Sequence, residues 1–464
     1  MAKIEMMMHE DGQKFFPYAH TKGVIDNNGL TVDDHLQNIY RDSSDLRDMV
    51  EGIMSLEALP DSVYGVEWDD NVSNPDCTRI GNMALHRTLP VQSRMRGCLL
   101  NDDGVVVEYL PEDNWTSSVR DGSKGQVMVE IPRHWRRFET EGTKHRVLIS
   151  PIAVDGYHEV PKMYVGAYEA AVQRSTSKLC SVANWDTDYR GGDGSAAYDN
   201  NEWSSRQRPA TSLSLTKFRQ YARNRNQATT EWNCYTYECH KAITWLFVVE
   251  YATRNSQKAY NAQPTAEGYK QGGLGDGITN IREDQWSSFN GYRPIVSCAA
   301  SDSLGNKTGN ISYWLPSALG GSTVYIPRYR GIENPFGHIW KWVEGILCFP
   351  NSDGTQLDVY MYSDPSAFND SSQTGGTKVG TIPTSLNYIK AMHDGEIMPS
   401  VLGASSSTSW CDYYYSTTGN HTRGVQFGGY ALTGAGAGLV SPASHHSPSY
   451  ATTDLGSRLC FIPR

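Results

Sequence analysis

The run Arg328-Tyr329-Arg330-Gly331-Ile332-Glu333-Asn334-Pro335-Phe336-Gly337-His338-Ile339-Trp340-Lys341-Trp342-Val343-Glu344-Gly345 decides how this chain is read. Asn-Pro-Phe-Gly is turn chemistry, and Asn334 and Gly337 suit backbone angles that most residues avoid. The turn leads into an extended segment. Side chains alternate along such a segment, so Trp340 and Trp342 share one face while Lys341 and Val343 take the other.

Upstream of this run, two stretches have near-helical apolar spacing, Ser214–Asn224 and Thr236–Thr253. Val105–Val107, Val127–Ile131 and Arg146–Ile149 read as strands, with turns at Asp103-Gly104 and Asp121-Gly122. The remainder carries long Gly-, Ser-, Asn- and Asp-rich loops. The embedded Trp185, Trp203, Trp286, Trp314, Trp340 and Trp342 argue for ordered loops. At the N-terminal end, Asn28-Gly29 marks a turn. A heptad follows, with Leu36, Ser43 and Val50 at a and Ile39, Leu46 and Ile53 at d. That narrow seam suits a coiled coil, though an amphipathic helix packed on its own domain would share it.

Composition bounds the function. The chain has 464 residues and a formal net charge of −10, a poor match for nucleic acid or an anionic membrane. The richest apolar stretch, Ala242–Val249, is far short of the roughly 18 residues a spanning helix needs. The N-terminus has no apolar signal-peptide core. Tyr (27) and Trp (12) together far outnumber Phe (11), a balance common to wet binding surfaces and half-buried strands. Nine cysteines form no Cys-x-x-Cys pair and read as reduced, buried thiols. Neither Cys234/Cys239/His240 nor His421/His445/His446 has convincing metal-ligand spacing, and the adjacent His445 and His446 are expected to point apart.

The Gly337–Trp342 run resembles the Gly-Asn-Val-Trp-Glu-Trp signature of the formylglycine-generating-enzyme version of the C-type lectin fold. His338 stands at the family's Asn and Lys341 at its Glu. Other pieces fall in the same order. Lys162–Ala170 is similar to the early strand and Thr244–Phe247 to the second helix. Gly428-Gly429-Tyr430 is similar to the Arg-Gly-Gly-Ser segment. Gly456-Ser457-Arg458-Leu459-Cys460-Phe461 is similar to the terminal strand. The resemblance spans Val127 to Arg464, and its fold-signature residues are Gly337, Trp340, Trp342, Gly456 and Arg458. The enzymes' paired thiols near the C-terminus are missing, since 424–453 holds no Cys. No catalytic residues are therefore expected.

The C-terminal stretch resembles the variable region of phage receptor-binding tail proteins diversified by a retroelement, of the major-tropism-determinant kind. Residues 410–461 are rich in types that rewritten Asn codons reach, and from 401 to 464 only Asp412, Arg423, Asp454, Arg458 and Arg464 are charged. Tyr, Ser and Gly at low charge also mark a paratope. The resemblance implies receptor-binding residues Tyr413, Tyr414, Tyr415, His421, Tyr430, Ser444, His445, His446, Ser449 and Tyr450, with the tyrosines and histidines largely facing solvent. Phe16–Gly29 is similar to the virion-attachment start of phage tail proteins, which are commonly trimers.

The expected architecture is α+β. It comprises a virion-attachment segment (1–33), a coiled coil (34–58; Leu36, Ile39, Leu46, Val50, Ile53), a small β module (59–126) and a C-type-lectin-like domain (127–464). The expected function is a non-enzymatic phage tail-fibre or tail-tip protein, made in the host cytoplasm and displayed on the virion. Its partners are a host surface receptor, glycan or protein, other virion proteins through the N-terminus, and two further copies of itself. No nucleic-acid partner, membrane insertion or metal is expected. No cofactor is expected, and a structural calcium ion is left open. The alternatives are a formylglycine-generating-type enzyme and a structural head-fibre or decoration protein of the same fold.

Overall fold

Trp340–Pro350 is the longest strand among the described residues and the middle strand of its sheet. The computed structural model describes residues 59–198, 205–288, 291, 293–315 and 321–463. The chain divides into two units, Met1–Leu59 and Pro60–Arg464. The expected attachment segment and the seam residues Leu36, Ile39, Leu46, Val50 and Ile53 lie outside the described residues.

The second unit is β-rich with few helices, compatible with a C-type-lectin-like fold. Trp340–Pro350 pairs antiparallel with Gln356–Met361 on one side and Arg423–Gly428 on the other. Thr377–Pro383 and Gly438–Ala443 extend this sheet outward. A second sheet runs Trp232–Cys234, Leu459–Phe461, Met163–Gly166, Gln126–Ile131, Arg96–Leu100, Val106–Tyr109. Its Leu459–Phe461 strand brings the chain's end beside the early Met163–Gly166 strand, with Cys460 opposite Val165. A third sheet holds Tyr64–Asp69 and Lys144–Ser150 at its centre.

These pairings correct the expected boundary at residue 126. Arg96–Leu100 pairs with Gln126–Ile131, and Tyr64–Asp69 pairs with Lys144–Ser150. Residues 59–126 are therefore no separate module. Their strands complete sheets whose other strands come later, because each apolar face needs a partner.

Both helices anticipated from spacing form, and both have side-chain caps. Ser214 accepts from the Lys217 amide at the start of Leu215–Arg223. Thr236 accepts from the Cys239 amide at the start of Tyr237–Tyr251. The longer helix ends at Ala252, which takes a left-handed φ of 50°. It is buried on nearly every side, and its buried Lys241 and Glu250 are paired with Glu396 and Arg330. Its Ile243, Leu246, Phe247 and Val249 share one core with Val66, Val129, Val343 and Phe427 from the three sheets.

The central strand obeys the expected alternation. Trp340 and Trp342 enter a second core with Phe218, Trp232 and Phe461, while Val343 joins the core around the long helix. Every residue from Trp340 to Phe349 is buried. The preceding turn has the expected angles, with φ of 45° at Asn334 and 71° at Gly337. A Cβ at Gly337 would lie 2.9 Å from the Ile278 carbonyl oxygen, so only glycine fits there.

Candidate functional site

The platform begins with a buried ionic cluster under the central strand. Lys341 Nζ lies 2.9 Å from Glu169 Oε1 and donates to the carbonyls of Gly337 (3.0 Å) and Ile339 (2.9 Å). His338 Nε2 accepts from the Ile295 and Val296 amides, 3.2 Å each. That leaves Nδ1 carrying the proton, and it donates to Glu169 Oε2. Burial pushes the Glu169 carboxyl up, but Lys341, His338 and Arg458 overcome it and hold it at about 2. Burial pulls the Lys341 ammonium down to about 8 against the attraction of Glu169. Both shifts leave the pair ionised at neutral pH. The two departures from the signature, His338 and Lys341, thus converge on one carboxylate.

Arg458 ties the same region together. Its guanidinium donates to the carbonyls of Gly166 (3.2 Å), Asn334 (2.5 Å) and Glu333. The early strand, the signature turn and the terminal strand meet at this side chain. Gly456 pairs with Lys341 in parallel, and a Cβ there would stand 2.6 Å from the Ile339 side chain.

On this platform rests an aromatic cluster. Tyr413 and Tyr415 are half-buried, with ring centroids 4.8 Å apart. Tyr415 meets Trp340 edge-on at 5.5 Å, so the signature tryptophan supports the half-buried ring directly. Tyr388 packs edge-on against Tyr413 at 4.9 Å, and Trp286 lies edge-on to Tyr430 at 6.2 Å. Burial, then neighbouring Tyr413, Tyr388 and Tyr430, push the Tyr415 hydroxyl up to about 12. Burial, Asp454 and Glu283 do the same at Tyr430. These phenols are neutral hydrogen-bonding groups at physiological pH.

A second cluster surrounds Arg423. The buried guanidinium donates to the carbonyls of His445 (2.9 Å), Thr417 (3.1 Å) and Gly419 (3.2 Å), binding two loops together. His445 and His446 do not point apart as expected, since their ring centroids are 3.7 Å from each other. Tyr450 stacks on His446 at 3.5 Å and 10°. Burial and Arg423 take His445 down to about 4. Burial, His445, Arg423 and His421 take His446 to about 4 as well. His421, Ser449 and Tyr450 are exposed.

Two expected contact residues face inward. Tyr414 is fully buried, donating to the Pro383 carbonyl at 2.9 Å and contacting Ser444 Oγ at 2.7 Å. Ser444 is buried too. The reason is alternation: in Tyr413-Tyr414 the neighbouring rings take opposite faces, so three consecutive tyrosines cannot all point outward. Much of 410–461 is likewise core, including Trp410 and the fully buried strands Arg423–Gly428 and Gly438–Ala443. Sequence reasoning did not pick out Tyr388. It reaches the cluster only because Asn387–Met392 pairs with Tyr413–Tyr414, a contact without local signal. Among the described residues no group of three His, Cys, Asp or Glu is arranged to hold a metal ion, and no helix is long and apolar enough to cross a membrane.

No family model and no curated protein matches the chain. Solved structures show a faint likeness. The Major Tropism Determinant P3c variant is 12% identical over 65% of this chain and 50% of its own, with a TM-score of 0.23. The match thus spans half the length of that protein. The Major Tropism Determinant U1 variant is 11% identical over 79% and 72%, with a TM-score of 0.25. PvdO from Pseudomonas aeruginosa is 10% identical over 75% and 98%, with a TM-score of 0.31. Scores this low assign neither family nor activity.

Proposed function

We propose that this chain is a phage virion adhesin that binds a host-surface receptor through the rings at its C-terminal end. The observation that carries the reading is the partly exposed Tyr413/Tyr415/Tyr430 cluster, held from below by Trp340 and Trp286. Rigid aromatic rings with neutral hydroxyls give contact area at little entropic cost. Residues 401–464 carry only five charged side chains, in keeping with a Tyr-, Ser- and Gly-rich contact face. The sequence resemblance to diversified phage tail proteins supports the same reading, including trimerisation through 34–58 and virion attachment through 1–33.

The chain is proposed to act without catalysis. Burial raises Cys98, Cys234, Cys239 and Cys298 well above the usual thiol range, which keeps these sulfurs protonated and poorly nucleophilic. The test is adsorption of the purified protein to a panel of bacterial isolates, in parallel with Tyr415→Ala and Tyr413→Ala. Saturable binding to some isolates, weakened at least tenfold in both variants, is expected. Binding to none, with the protein retained on intact particles, would favour the decoration-protein reading.

A further inference from the structure

Gly309–Trp314 and Thr323–Tyr329 form an antiparallel pair in which Trp314 faces Thr323 and Ser312 faces Tyr325. Alternation splits this pair into two rows. The inner row holds Ile311, Tyr313, Val324 and Ile326. Ile326 is buried, and Tyr313 and Val324 pack on a core with Ile278, Trp286 and Ile339. The outer row is Ser312, Trp314, Thr323 and Tyr325, all exposed. Trp314 is 65% exposed and Tyr325 57%, the two highest values among the large apolar side chains described. They are diagonal cross-strand neighbours, roughly 7–8 Å apart at the backbone, so one ligand can touch both.

The inner row alone accounts for packing the hairpin. The outer rings contribute nothing to the core and cost solubility, so their placement asks for a ligand. Together they present on the order of 300 Å² of aromatic surface, judging from what such side chains bury. That is well short of the ~800 Å² per partner in a stable protein interface. It suits one or two sugar rings. The face has two rings, two aliphatic hydroxyls and a phenol. It carries neither charge nor aliphatic side chain. Ring faces receive the C–H surface of a pyranose, and the hydroxyls exchange hydrogen bonds with those of the sugar.

We infer that Trp314 and Tyr325, with Ser312 and Thr323, form a platform for a neutral carbohydrate. It shares no residue with the 413–450 face, so it stands or falls independently of the receptor reading above.

Affinity electrophoresis of the full chain in gels containing dextran, mannan or galactan tests it. Retardation in at least one gel is expected. Trp314→Ala should abolish it, Tyr325→Ala should weaken it about tenfold, and Trp314→Phe should keep part of it. Tyr413→Ala and Tyr415→Ala should migrate as the parent does, which separates this platform from the C-terminal face. Melting temperatures should be unchanged in the Trp314 and Tyr325 variants, since neither ring is buried. No retardation of the parent in any of the three gels would overturn the inference. So would unaltered retardation of Trp314→Ala, or a change in its oligomeric mass, which would make the face a contact between copies.

Discussion

Glu169 is the residue on which the signature run depends. It compensates Lys341 and accepts a hydrogen bond from His338 Nδ1 inside a region with no solvent access. Removing one partner of such a pair leaves an uncompensated buried charge. Glu169→Gln should therefore cost about 3–5 kcal/mol in urea unfolding. The double variant Glu169→Gln/Lys341→Met should cost less than the two single changes added together. A Glu169→Gln protein as stable as the parent would show that the cluster is not structural. The histidines around Arg423 make a second prediction at this scale. His445 and His446 titrate near 4 when folded and near the ordinary 6.5 when unfolded. Between those values the unfolded chain binds more protons, so stability falls as pH drops from about 6.5 to about 4, and is unaffected above. The buried His134 and His240, pulled to about 3 mainly by burial, add to the same slope. The share of the first pair is isolated by a His445→Gln/His446→Gln variant. Its melting temperature should fall less between pH 7 and pH 4.5 than that of the parent. Equal slopes would mean that the stacked rings are solvated.

At the level of single elements, the Tyr413–Ser416 segment carries the sharpest contrast. Tyr413 and Tyr415 lie toward the surface while Tyr414 lies in the core, bonded to Ser444 and Pro383. Tyr414→Ala should cost about 3–5 kcal/mol, as for other large buried aromatics, whereas Tyr413→Ala should cost under about 1 kcal/mol. Thermal melts of the two variants decide this, and similar losses would mean that the segment is core throughout. The sequence contained the clue, since a triplet of tyrosines in extended chain must alternate. The expectation that all three face solvent runs against that alternation. The helices and the Trp340–Trp342 strand were legible for the opposite reason: period 3.6 and period 2 show in neighbouring residues. Tyr388 and Glu169 were not legible. Their partners are distant in sequence, and only sheet register and the approach of two buried segments bring them to Tyr413 and Lys341.

For the whole molecule, sequence pattern located strands but not their partners, and so misplaced a boundary. Tyr64–Asp69 and Arg96–Leu100 each pair with a strand across the expected boundary at 126, and nothing in the neighbouring sequence shows those partners. Local alternation says which face is apolar and nothing about what covers it. Oligomeric state follows a similar logic. The seam at Leu36, Ile39, Leu46, Val50 and Ile53 spans only about three heptads, with Ser43 as a weak layer. An isolated helix of that length would be marginal, so the proposed trimer would draw on all three chains at this seam and on contacts elsewhere. Light scattering of the full chain should give roughly three times the 51.6 kDa chain mass. Ile39→Asp/Leu46→Asp places charge in two seam layers and should shift the mass toward one chain. The melting temperature of the 60–464 unit should stay where it was, because its core is self-contained. In the proposed trimer three linked faces would multiply a weak single-site affinity, so the dissociated variant should adsorb to cells far less well than its unchanged Tyr413 and Tyr415 would suggest. A parent protein that is monomeric, or a seam variant that remains trimeric, would remove the coiled coil from the account and leave any avidity without a source.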